Sequence, residues 1–146
     1  MSVTTAEVAE IIRGVSTRVI DPGFRRLSPD QIHEKAPGDL VTDLDRQAEG
    51  ELSRLLTSAG GGIVVGEESV HDDASVLQEL PTAELAWVID PIDGTKNYVN
   101  GSTHHAVMVA EVQHGVTTRS WIWQPQLGHM WIAERGNGLV LSLIHI

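Results

Sequence analysis

An acidic side chain usually belongs on a solvated surface, and the chain has twenty of them among 146 residues. Two groups break that pattern. Gly66-Glu67-Glu68 directly follows a short β-branched run, and Asp90-Pro91-Ile92-Asp93-Gly94-Thr95 follows another apolar run. The C-terminal end of a strand is a rigid mount for reactive groups. An unpaired carboxylate at Asp90 would be costly there, and a hard divalent cation offsets that cost. All-oxygen ligands suit magnesium or manganese. Pro91 fixes its own φ and keeps Asp90 extended. The Asp90 and Asp93 carboxylates can then converge, with the Ile92 carbonyl as a further oxygen. Gly94 allows close backbone approach, and Thr95 opens a helical turn whose free N–H groups suit an anion, phosphate above all. Carboxylates for a metal beside a phosphate cradle imply metal-assisted phosphoryl chemistry.

The elements that must carry these groups follow from periodicity. Residues 4–20 read as an amphipathic helix, with Thr4 and Glu7 at capping-box spacing and Val8, Ile11, Ile12, Val15 and Val19 on one face. Asp21-Pro22-Gly23 should stop it, and a polar loop of about fifteen residues follows. Thr42 caps a second helix that ends at Gly60-Gly61-Gly62. Asp45, at its third position, reads by spacing alone as the acidic group a helix dipole favours. Taken singly, Glu67 reads equally as a ligand or a surface carboxylate. Strands are predicted over 62–66 and 85–90, then over 104–113, 116–123 and 129–134. Two helices followed by a run of closely connected strands give an α+β fold, with a largely antiparallel sheet and helices on one face.

Composition narrows the function classes. A formal charge of −10 repels a phosphate backbone and argues against nucleic-acid binding. The absence of cysteine excludes a disulfide framework, a thiol nucleophile and Cys-ligated zinc. The N-terminus lacks the basic and apolar regions of a secretory signal, and no apolar run is long enough to span a bilayer, so a cytoplasmic protein without membrane association is expected. His104-His105 would point to opposite faces of a strand and make a poor metal pair. His33, His71, His114 and His129 show no ligand spacing. The four tryptophans are expected to pack the sheet, Trp87 in its core.

In three segments the sequence resembles the inositol monophosphatase family of magnesium-dependent, lithium-sensitive phosphatases. They are Gly38-Asp39-Leu40-Val41-Thr42-Asp43-Leu44-Asp45, Val65-Gly66-Glu67-Glu68-Ser69, and Trp87-Val88-Ile89-Asp90-Pro91-Ile92-Asp93-Gly94-Thr95-Lys96-Asn97-Tyr98. The third carries the W-x-x-D-P-[IL]-D-G-T signature without a gap. Trp131–Gly138 resembles a weaker glycine-rich segment, and the likeness extends to about residue 140. The resemblance implies a layered helix/sheet sugar-phosphatase fold, Mg2+ as cofactor, and a homodimer when full length. Glu67, Asp90 and the Ile92 carbonyl would hold one metal, and Asp90 and Asp93 a second. Glu67 and Thr95 would orient the attacking water, with Asp45 as a base or partner to Thr95. Ile92, Asp93, Gly94 and Thr95 would surround the substrate phosphate, bound by the amides of Gly94 and Thr95. The implied reaction is hydrolysis of a small sugar or polyol phosphate by metal-activated water. Inositol monophosphate is the default substrate; histidinol phosphate and fructose 1,6-bisphosphate are handled by relatives.

The chain also departs from that family. The W-D-x-[AP]-[AG]-G motif, which supplies a further metal-ligating Asp, is absent: Trp87, Trp121, Trp123 and Trp131 precede Val88, Ile122, Gln124 and Ile132. Leu141-Ser142-Leu143-Ile144-His145-Ile146 is the translation of CTG TCT CTT ATA CAC ATC, the mosaic end of transposon-based sequencing adapters. Residues 1–140 are therefore expected to be a truncated N-terminal domain lacking its C-terminal half, and 141–146 an adapter-derived tail; a genuine apolar terminal strand is the other reading. Such a chain is expected to be poorly soluble and nearly inactive, an inactive metal-binding fragment being the alternative of another class. Asp93-Gly94-Thr95 also resembles part of a haloacid dehalogenase loop, but Asp90 and Asp93 are three apart instead of two. The EF-hand spacing is missing as well.

Overall fold

The Thr4 hydroxyl accepts the Glu7 N–H at 3.1 Å in a computed structural model that describes residues 2–143. It caps α1 (Thr5–Val15), which buries Val8, Ala9, Ile12 and Val15. The helical path continues to residue 20 as expected, but in a wider π-type turn over Ser16–Ile20. Asp21-Pro22-Gly23 does not stop the path at once. It adds a 3-10 turn, in which Pro22 sits early enough to need no N–H, and the chain becomes extended at Phe24.

The predicted fifteen-residue loop is corrected to a short 3-10 turn (Pro29–Gln31) and a hairpin. Strands β1 (Ile32–Ala36) and β2 (Asp39–Thr42) pair antiparallel around Gly38, which adopts φ 80°. Most of β1 is exposed, so no hydrophobic alternation announces it. The second helix, α2 (Asp43–Gly60), has the expected Thr42 cap and buries Ala48, Leu52 and Leu56.

A six-stranded sheet follows: β3 (Ile63–Gly66), β4 (Ala86–Asp93), β5 (Ala106–Gln113), β6 (Val116–Gln124), β7 (His129–Glu134) and β8 (Gly138–Leu143), in that spatial order. Only β3 and β4 are parallel; every later pair is antiparallel, giving the expected α+β sheet. The parallel step needs a crossover. It is made by α3 (Glu67–Asp72) and a 3-10 turn (Ala74–Glu79), both too short to show helical periodicity. A last short helix, α4 (Thr95–Val99), follows β4.

Helices α1 and α2 pack on one face of the sheet. Strand alternation aims Trp87, Ile89, Val107, Val109, Trp121, Trp123 and Met130 at Val8, Ile12, Leu52 and Leu56. Trp87, Trp121 and Trp123 are buried as expected, while Trp131 is half-buried. On the opposite face Val88, Met108, Ala110 and Ile122 line a groove of about 500 Å³ that ends at Glu67 and Asp90. Residues 141–143 of the proposed adapter tail lie in β8, paired with β7; residues 144–146 lie outside the described residues. No described helix is long and apolar enough to cross a membrane.

Candidate active site

Strand β4 runs three residues beyond its predicted end, and the extension shapes the site. Asp90 pairs with Met108 of β5, but Asp93 pairs with Ala106, so three steps on β4 match two on β5. This bulge accommodates Pro91, which has no N–H for the ladder. In a regular strand, positions 90 and 93 would face opposite sides. The bulge sets them opposite Met108 and Ala106, two residues that share a side. Gly94 then turns the chain at φ 83°, where a Cβ would press on the His104 carbonyl, and starts α4 at Thr95.

Asp45 caps α2 and also reaches Thr95. Its Oδ1 accepts the Thr42 N–H at 2.7 Å, while its own N–H donates to the Thr42 hydroxyl at 3.2 Å, completing a reciprocal cap. Its Oδ2 lies 2.9 Å from the Thr95 hydroxyl. That hydroxyl also lies 3.0 Å from the Ile92 carbonyl, so its single proton is shared between two acceptors. Asp45 is fully buried, and burial raises its pKa against the lowering effect of the Thr42 and Thr95 hydrogen bonds.

Glu67 opens α3 at the end of β3, next to Asp90 on the neighbouring parallel strand. The two carboxyls lie side by side. Burial first, then the adjacent Glu67 carboxyl, push Asp90 up to about 9, with Asp93 adding to the rise. Asp90, helped by Lys35, holds Glu67 below the ordinary range despite its burial. The crowded pair therefore favours one proton held between its two carboxyls.

Lys35 and Glu49, both outside the sequence reading, complete the site together with Glu68. Lys35 of β1 places its buried ammonium 3.3 Å from both Glu67 and Glu68, and Glu68 is itself buried. Glu49 of α2 accepts the Glu68 N–H at 2.7 Å and the Ser69 N–H at 3.0 Å. Glu49 did carry a signal, standing four residues after Asp45 on the same helical face. Lys35 carried none, because the hairpin that brings it to Glu68 reads as loop in the sequence. His104 is exposed and His105 buried, but both precede β5 and do not stand in the strand predicted from residue 104.

Among the described residues, no three His, Cys, Asp or Glu side chains are in place to hold a metal ion. What fits a cation is the donor chemistry. Glu67, Asp90 and Asp93 are neighbouring carboxylates. The Asp90 Oδ1 atom is buried without a hydrogen-bond partner, an arrangement that a hard cation offsets. The Glu67 and Asp90 oxygens, the Ile92 carbonyl and Asp93 are the groups that would hold it.

Acidic strand ends joined to a helix-backed, largely antiparallel sheet place the chain in a known layered α+β fold. Thermotoga maritima IMPase shares it with a TM-score of 0.76 at 24% identity, over 94% of this chain and 50% of that one. The extragenic suppressor protein suhB from Bartonella henselae gives 0.68 at 25% identity, over 91% and 48%. The chain belongs to the inositol monophosphatase family, whose model matches residues 2–143. It is 33% identical to the Nus factor SuhB of Vibrio cholerae over 77% of this chain and 40% of that protein. It is 30% identical to the inositol-1-monophosphatase of Mesorhizobium japonicum over 86% and 45%. The chain thus spans less than half the length of these curated relatives.

Proposed function

We propose that this chain is part of a Mg2+-dependent phosphomonoesterase acting on a small sugar or polyol phosphate, inositol monophosphate first. The observation that carries this reading is the meeting of Asp45, the Thr95 hydroxyl and the Ile92 carbonyl beside the Glu67–Asp90 pair. A divalent cation bound there supplies charge that lowers the pKa of a water and stabilises the leaving oxygen. The protein's own groups do the rest. The Thr95 proton is committed to Asp45 and Ile92, so its oxygen is left to accept a hydrogen bond from the attacking water and aim it. The Glu67 carboxylate, held in place beside Lys35, is an acceptor for the attacking water. Gly94, without a side chain, lets the phosphate approach the Gly94 and Thr95 amides.

Relatives named inositol-1-monophosphatase support the substrate class. Histidinol phosphate and fructose 1,6-bisphosphate are the alternatives within the superfamily. A cytoplasmic homodimer that binds neither nucleic acid nor membrane is part of the same proposal; the name Nus factor belongs to the SuhB relatives. A cation-binding domain without turnover is the competing reading, because the matched relatives continue well beyond this region. The test measures phosphate release from inositol 1-phosphate with and without Mg2+, first by the chain alone and then by a version extended with a relative's C-terminal half. Mg2+-dependent release in either form, lost in Asp90→Asn, supports the phosphatase. Release in neither leaves the cation-binding reading.

A further inference from the structure

A short helix needs a cap at its N-terminus, where the first N–H groups lack intrahelical acceptors. Helix α3 has Gly66 at that position, a residue with no capping side chain. Backbone geometry does not demand this glycine, since φ at Gly66 is −102°, a value any residue adopts. Space does demand it: a Cβ at position 66 would collide with the carboxyl carbon and both oxygens of Glu49. Those oxygens accept one N–H each, Oε1 from Glu68 and Oε2 from Ser69. The cap of α3 is thus delivered from another helix, and the residue between β3 and that cap is Glu67.

We propose that Glu49 is a positioning residue for Glu67: its carboxylate, reaching from α2, caps α3 in place of a side chain at Gly66 and so fixes where Glu67 stands beside Asp90. The inference rests on the reading of Glu67 as part of the reactive site only for its consequence, not for the geometry. A carboxylate suits this task because it offers two acceptors and a charge that favours the helix N-terminus. An amide in its place turns one NH2 group toward an N–H donor. Ser69 contributes locally, its hydroxyl bonded within the same turn to Gly66; Glu49 links this first turn to α2, while Arg46 of α2 holds the far end of α3 at Asp72.

The test compares the full chain with Glu49→Gln and, from the other side of the contact, Gly66→Ala. The first readout needs no metal: NMR couplings report the Glu67 χ1 rotamer, and amide exchange reports Glu68 and Ser69. One dominant rotamer in the parent, averaged in both variants with faster exchange of the two amides, is the expected result. An unchanged rotamer in folded variants, or averaging already present in the parent, overturns the proposal. The second readout is binding of Mn2+ alone by electron paramagnetic resonance. Glu49→Gln is expected to weaken it about ten-fold, with no further loss when added to Glu67→Gln. Full additivity of the two substitutions also overturns the proposal. A parent that fails to bind Mn2+ refutes the cation reading of the site, while the rotamer result still decides the role of Glu49.

Discussion

Asp45 and Glu49 stand one helical turn apart on α2, and each holds a different strand end. Asp45 bonds Thr95 after β4, and Glu49 bonds the Glu68 and Ser69 amides after β3. Because β3 and β4 are parallel neighbours, their C-terminal ends lie side by side, and one face of one helix ties both. The site is thereby locked to the core, since Ala48, Leu52 and Leu56 of the same helix are buried in it.

Removing the Asp45 charge tests the water-orienting role. In the extended, active form, Asp45→Asn is expected to lower kcat for inositol 1-phosphate by about 10²–10⁴-fold. Its amide oxygen can still accept from Thr42, so the fold is retained, as circular dichroism checks. Unchanged kcat would show that the carboxylate serves only the helix cap.

Asp90→Asn is expected to act in opposite directions on stability and on binding. It relieves a buried carboxyl that crowds Glu67 and Asp93, so the metal-free chain gains about 1 kcal/mol in urea unfolding. The stabilisation that Mg2+ confers on the parent is lost. A variant that is less stable and still stabilised by Mg2+ contradicts the assignment of Asp90.

Lys35 is the counter-ion of Glu68 in a setting where both side chains are almost inaccessible, at 4% and 3% exposure. Lys35→Met leaves that carboxylate without its cation, and about 3 kcal/mol of stability is expected to go. Lys35→Met/Glu68→Leu should recover most of it, measured by denaturant midpoint.

His105 sets an acid limit on stability. Its Nδ1 bonds the Ser102 carbonyl, its Nε2 is buried without a partner, and the rings of Phe24 and Tyr98 flank it. Burial lowers its pKa below 6.5, although Asp21 faces it and favours the charged form. The unfolded chain therefore binds a proton that the folded chain refuses as pH falls below 6.5. Stability is full above that pH and declines down to the depressed folded pKa. Thermal unfolding across this range should show the decline in the parent and a flatter profile in His105→Phe.

The exposed edge of β8 is expected to drive association. Leu139 and Val140 are 64% and 58% exposed on a strand whose outer edge pairs with no strand among the described residues. Leu139→Lys should shift the chain toward monomer in size-exclusion chromatography; an unchanged profile assigns association to the apolar groove instead.

Local order in the residues was enough to read the two long helices, five of the eight strands among the described residues and the acidic strand ends. Val8, Ile12 and Val15 recur at helical period, Thr42 and Asp45 make a cap within four residues, and Asp90–Thr95 forms one uninterrupted motif. The β1–β2 hairpin and α3 were not legible, being mostly exposed or too short for periodicity to register. The edge strand β8 was read mainly as a tail.

Sequence alone determined which carboxylates could do chemistry, because their types and spacing are local properties of the chain. Tertiary structure decided which of them meet. The bulge after Asp90 brings Asp93 to its side, the parallel pairing of β3 with β4 sets Glu67 against Asp90, and the fold carries Lys35 and Glu49 to α3 from over thirty and nearly twenty residues away. Proton sharing, counter-ions and caps between elements depend on distances of about 3 Å across the fold, and nothing in the spacing along the chain sets those.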